Sequence, residues 1–104
     1  MGIPRFILDK QGDISAMCQR THARRLDLFG SATRDDFNPG SSDLDFLVTF
    51  EPLPPADYSD AFFALKEGLE ALFHRPVDLL TERTLCNPFL IRRVQAGRVA
   101  VYGA

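Results

Sequence analysis

The chain has 104 residues, 45% of them hydrophobic and nine of them phenylalanine, with a formal charge of −2 at pH 7. That length supports one compact core and is short for two ordinary domains, so residues 1–104 are expected to form one domain. The mild acidity provides no general attraction to nucleic-acid phosphates, and direct nucleic-acid binding is not expected. No run is long and apolar enough to span a bilayer, and Met1-Gly2-Ile3-Pro4-Arg5 lacks the apolar stretch of a secretory signal, so the expected location is cytoplasmic. Cys18 and Cys86 are too few and too distant in sequence for a disulfide scaffold or a four-ligand zinc site; both read as core or partly buried thiols.

The first ten residues have no clean period, with Phe6, Ile7 and Leu8 readable as a short strand or a turn. Asp13 can cap a helix, and Ile14, Met17, Cys18 and Thr21 follow at helical spacing, which predicts a helix over about 13–24. Arg25-Leu26-Asp27-Leu28-Phe29 is a strand that runs into Gly30-Ser31, and Ala32 to Asp36 begins a helix. Asp27 is a charge in an apolar strand for which the sequence offers no functional account. After Asn38-Pro39-Gly40-Ser41-Ser42, residues Asp43 to Phe50 read as a strand. Strand alternation puts Leu44, Phe46 and Val48 on one face and Asp43 and Asp45 on the other.

Pro52, Pro54 and Pro55 mark a loop, and a helix is expected to begin around Asp57 to Asp60. Its apolar stripe is Phe62, Leu65, Leu69 and Leu72 with Phe73 beside them, and Gly68 weakens it slightly. Pro76 to Leu80 is a third strand with Asp78 in its middle. Asn87-Pro88 reads as an N-cap and first helical residue, Gly97 as the stop, and Arg98 to Tyr102 as a closing strand. His22 and His74 have no second ligand at helical spacing and read as boundary residues.

The chemistry concentrates at two places. Strand residues two apart lie about 6.5–7 Å from each other, so Asp43 and Asp45 on one face call for a cation between them. Magnesium suits such a face because it takes carboxylate oxygens and keeps positions open for water and phosphate. Gly30, at a strand-to-helix turn, lets a phosphate approach the backbone while the following helix points free amides at it. Ser31 adds a hydroxyl donor. Arg34, one turn later, reaches a phosphate oxygen or else pairs at the surface with Asp35 or Asp36, which read as solvating residues.

Leu28-Phe29-Gly30-Ser31, followed after eleven residues by Asp43-Leu44-Asp45-Phe46, resembles the signature of the DNA polymerase beta-like nucleotidyltransferases. The longer run through Phe29-Gly30-Ser31-Ala32-Thr33-Arg34 and Ser42-Asp43-Leu44-Asp45-Phe46-Leu47-Val48 looks most like their smallest members, the minimal nucleotidyltransferase (MNT) domains. The resemblance spans about residues 14–102. It implies an α/β (α+β) fold with a short mixed β-sheet flanked by helices: an N-terminal helix near 13–24, a catalytic core near 25–80, and a closing helix and strand near 87–102. It further implies that Gly30, Ser31 and Arg34 bind the triphosphate of ATP. Asp43, Asp45 and Asp78 would be the catalytic acids and the ligands of two Mg2+ ions, with Mn2+ as the other candidate metal.

Such a small chain is expected to receive its acceptor from another molecule. MNT proteins commonly pair with a HEPN-class RNA-cleaving toxin, so the resemblance implies an antitoxin that transfers AMP from ATP to a tyrosine of that toxin. The alternative is a weak or inactive nucleotide-binding antitoxin that neutralises its partner by complex formation. A metallo-hydrolase using water as acceptor ranks below both, because the histidine ligands such sites often recruit are missing. Oligomeric state is left open by the sequence.

Overall fold

The structure, a computed structural model, describes residues 3–30, 43–84 and 87–103. Arg5–Leu8 (α1) is one helical turn, where the sequence suggested a strand or turn; Pro4 precedes it and Ile7 is fully buried beneath it. Gln11–Arg20 (α2) starts two residues before the expected Asp13. Asp13 is therefore not the cap. It sits in the first turn, where a carboxylate still complements the positive end of the helix. The helix also ends earlier than expected: Thr21 Oγ1 donates back to the Met17 carbonyl at 2.9 Å, and His22 takes a left-handed φ of 62° that turns the chain into a strand.

That strand is Ala23–Phe29 (β1), longer than the sequence suggested, and it is followed after the turn by Leu44–Phe50 (β2). Pro55–Phe73 (α3) begins at a proline in its first turn, a position at which no amide donor is needed, and so starts before Asp57. It stops at His74, which also adopts a left-handed φ, of 55°. Val77–Thr81 (β3) leads into a single 3-10 turn at Glu82–Thr84. Pro88–Gly97 (α4) and Val99–Tyr102 (β4) complete the order. Asn87 caps α4 as its sequence predicts, its side chain accepting from the Phe89 amide at 2.8 Å.

The four strands form one sheet in the order β3-β2-β1-β4. β1 runs antiparallel to β2 and β4, while β2 and β3 are parallel because α3 carries the chain back across the sheet between them. One face carries Leu26, Leu28, Leu44, Phe46, Val48 and Leu79 against Ile14, Met17 and Cys18 of α2 and Leu65, Leu69 and Phe73 of α3. Each of the large buried side chains contributes roughly 1.5–3 kcal/mol relative to exposure. Gly68 is where the two helices meet: a Cβ there would press on Met17 Sδ at 2.7 Å, so its absence allows the close approach.

Cys18 is a core thiol, as expected, and burial pushes its pKa up to about 12. Cys86 lies outside the described residues. None of the described helices is long and apolar enough to cross a membrane.

The opposite face of the sheet holds a smaller cluster, Phe29, Leu47 and Val94 with Leu80 packed against them. Val94 projects from α4, so this helix covers the second face. Asp27 lies on that face too and is completely buried. It accepts from Arg25 Nε at 2.9 Å and from Arg98 Nε at 2.7 Å, and this explains how a carboxylate stands in an apolar strand.

Candidate active site

The second face ends in a row of three residues set by strand register. Phe29 is the partner of Asp45 across the antiparallel β1–β2 ladder, and Asp45 is the partner of Asp78 across the parallel β2–β3 ladder. Residues in register on adjacent strands project to one side, so the two carboxylates share a face, with strand axes about 4.8 Å apart. The ladder is held at this end by the Leu44 amide, which donates to the Pro76 carbonyl at 3.2 Å. Glu70, near the end of α3, adds a second tie by accepting from the Val77 amide and from Lys66 Nζ, each at 3.1 Å. These bonds, the Val77 amide first, hold the Glu70 carboxyl below its ordinary pKa of 4.5.

Asp78 is exposed, Asp45 is largely buried, and Asp43 is exposed just before β2. Gly30 follows β1 with a φ of 77°, in the left-handed region that favours glycine. The Asp45 carboxylate is seated over its α-carbon, and a Cβ at that position would collide with Asp45 Oδ2. Thus the glycine of the turn and the second aspartate of the Asp-x-Asp pair touch, although fifteen positions separate them in sequence. Ser31, Arg34, Asp35, Asp36 and the helix start assigned to residues 32–36 lie outside the described residues.

Two carboxylates on one face of neighbouring strands repel each other when both are ionised. Part of that charge is answered by Arg93 of α4, whose Nη2 lies 3.7 Å from Asp45 Oδ2. The same guanidinium lies 6.0 Å from the centre of the Phe29 ring. At 3.7 Å the contact is an ion pair rather than a hydrogen bond. Sequence reasoning missed Arg93, because its partner lies on a distant strand; its place beside Val94 in the apolar stripe of α4 was the available hint.

Among the described residues, no three His, Cys, Asp or Glu side chains are gathered closely enough to chelate a metal ion. Asp45 and Asp78 are neighbours, with Asp43 at the open edge. Their donor chemistry, hard carboxylate oxygens on an accessible strand edge, fits Mg2+ or Mn2+. A cavity of about 330 Å3 lined by Thr49, Phe50, Tyr58, Glu82 and Arg83 lies at the other end of β2. The acids are identified by register and charge.

A nucleotidyltransferase domain model matches residues 14–101. No curated protein matches the chain. A solved structure described as a minimal nucleotidyltransferase is 30% identical, with 95% of each chain covered and a TM-score of 0.65. A structure of the tri-AMPylated Shewanella oneidensis HEPN toxin in complex with MNT antitoxin is 19% identical, covering 94% of this chain and 73% of that one at a TM-score of 0.63. A toxin-antitoxin crystal structure with AMP-PNP is 20% identical, covering 90% and 73% at a TM-score of 0.64. The last two share the fold with this chain. The domain match runs through both sheet faces and the acid-bearing strands, and the chain belongs to the nucleotidyltransferase domain family.

Proposed function

We propose that this chain is a metal-dependent protein adenylyltransferase, which transfers AMP from ATP to a tyrosine hydroxyl of a HEPN-class toxin and acts as its antitoxin. The observation that carries this reading is the pairing of Asp45 with Asp78 on adjacent strands, beside a glycine turn whose α-carbon lies under Asp45. Two solved neighbours favour the chemistry and the partner: one contains an AMPylated toxin with its MNT antitoxin and the other contains AMP-PNP. The described elements build one sheet with both faces covered, which supports reading residues 1–104 as one minimal domain.

In this reading, Gly30 and Ser31 receive the triphosphate at the turn after β1, and Arg34 reaches a phosphate oxygen from the helix that follows. Asp43, Asp45 and Asp78 would hold two Mg2+ ions, which would supply charge neutralisation at the attacking and leaving oxygens. The tyrosine oxygen bonds to the α-phosphorus as the bond from that phosphorus to the β-phosphate bridging oxygen breaks. Pyrophosphate leaves with that electron pair, and the hydroxyl proton departs toward Asp78. The shallow acid edge suits an acceptor presented by another protein.

A second reading is neutralisation by contact alone, with a nucleotide site that turns over weakly or not at all. The ion pair of Asp45 with Arg93 favours it, because it occupies a carboxylate that transfer requires. Incubation of the chain and its co-purified partner with labelled ATP and Mg2+ separates the two, with intact mass as readout. A mass gain of one AMP on the partner is expected for wild type. It should fall about a hundredfold or more for Asp78→Asn, since the site loses several kcal/mol of transition-state charge stabilisation. Equal neutralisation of the partner by wild type and by an Asp43→Ala, Asp45→Ala double variant, without label transfer, would instead establish the contact reading.

A further inference from the structure

Arg93 sits between an aromatic ring and a carboxylate, on a helix whose position is fixed by the residue next to it. Val94 is 1% exposed and packs with Phe29 and Leu47, so α4 is anchored on the sheet. The Arg93 side chain is 57% exposed, so its guanidinium is open to solvent while its backbone is held by the packing of Val94. Its guanidinium lies by the Phe29 ring at 6.0 Å and by Asp45 Oδ2 at 3.7 Å. Phe29 is also the residue before Gly30, the turn at which a phosphate would arrive.

We propose that Arg93 is a positioning residue that neutralises Asp45 when no metal is bound and transfers to the nucleotide's phosphate oxygens when a divalent cation takes over that carboxylate. This rests on the nucleotidyltransferase reading above and adds to it a residue outside the glycine-serine and Asp-x-Asp motifs. The physical reason is a change in sign around one side chain. With carboxylates alone, the edge is negative and attracts the guanidinium. A divalent cation on Asp45 Oδ2 repels it, and a triphosphate arriving beside Gly30 supplies a planar pair of oxygens that a guanidinium matches with two parallel hydrogen bonds.

Such a residue leaves a signature that a purely structural one does not, because it opposes metal binding and favours nucleotide binding. Calorimetry would be run on wild type, Arg93→Gln and Arg93→Lys, first with Mn2+ alone and then with α,β-methylene-ATP in the presence of Mg2+. Arg93→Gln should bind Mn2+ about two- to fivefold more tightly, as expected from loss of an exposed competing ion pair. It should bind the ATP analogue about tenfold more weakly, as expected from loss of a charge-assisted pair. Arg93→Lys keeps the charge and should return Mn2+ affinity toward wild type, while recovering little of the nucleotide affinity. A Gln variant that weakens both ligands together, or changes neither, overturns the proposal. Wild type that takes up no nucleotide with Mg2+ overturns the nucleotidyltransferase reading, and this inference with it.

Discussion

The carboxylate of Asp45 lies directly over the α-carbon of Gly30, so closely that a methyl group at residue 30 would overlap Asp45 Oδ2. The contact joins the two halves of the sequence signature through space. It arises because Phe29 and Asp45 are partners in the β1–β2 ladder, which brings the end of one strand to the start of the other. The turn glycine thus meets two demands, a left-handed backbone and an open top for the acid.

Gly30→Ala tests both demands at once. The left-handed conformation alone costs an alanine about 1–2 kcal/mol, and displacement of Asp45 adds to it. In a chain of this size that corresponds to a fall in Tm of roughly 5–15 °C, measured by thermal denaturation. Under the proposed function, transfer of AMP should be lost even at temperatures where the variant is folded, since the Asp45 oxygen would be pushed from its place. An alanine variant with wild-type Tm and labelling would show that neither demand matters.

Arg98 links the end of α4 to the middle of β1 through its 2.7 Å bond to the buried Asp27. Arg98→Ala should destabilise the fold by about 1.5–3 kcal/mol, the range for a hydrogen bond to a charged group, with Arg25 remaining as the second partner. Denaturant unfolding would measure this. Asp27→Asn in the Arg98→Ala background should recover part of the loss, because the charge left short of a partner has been removed. Failure of that recovery would mean that Arg98 acts through packing and not through its charge.

Glu70 ties α3 to the start of β3, one residue before Asp78, and its pKa is depressed by the Val77 amide and by Lys66. A carboxyl whose folded pKa is below its unfolded value contributes stability that is fully present above about pH 4.5 and is lost as pH falls through the folded value. Wild type should therefore melt above Glu70→Ala at pH 6, and the gap should narrow as the pH is lowered from 4.5 toward 3. A gap that stays constant across that range would show that the ionised form is not what matters.

Much of the site was readable along the chain because its parts are local. Asp45 lies in a strand and Asp43, expected to begin that strand, sits just before it, while Gly30 follows an apolar strand, so spacing alone tied each motif to an element. Asp78 was legible as a lone acid in a short apolar strand. The element boundaries were less so. Asp13 looked like a cap, yet backbone bonds from Lys10 onward start α2 sooner, and the helix ends at Arg20 because Thr21 and His22 turn the chain. Phe6 to Leu8 had no period, and their helical turn follows from the burial of Ile7 against the core. Asp27 was opaque, since its two arginines come from beside it in β1 and from beyond α4.

Local chemistry fixed in the amino-acid order was therefore enough to place the four strands, the three longer described helices and the glycine after β1, and to single out three candidate acids, because alternation, helical period and turn preference act over a few residues. Only tertiary structure could decide that Asp45 stands in register with Asp78, that it rests over Gly30, and that Arg93 and Arg98 supply charge to β2 and β1. Those relationships depend on strand order and on where α4 docks, which follow from burying two apolar sheet faces at once. A one-residue slip in register would turn Asp45 into the core, and that cost sets the geometry of the site.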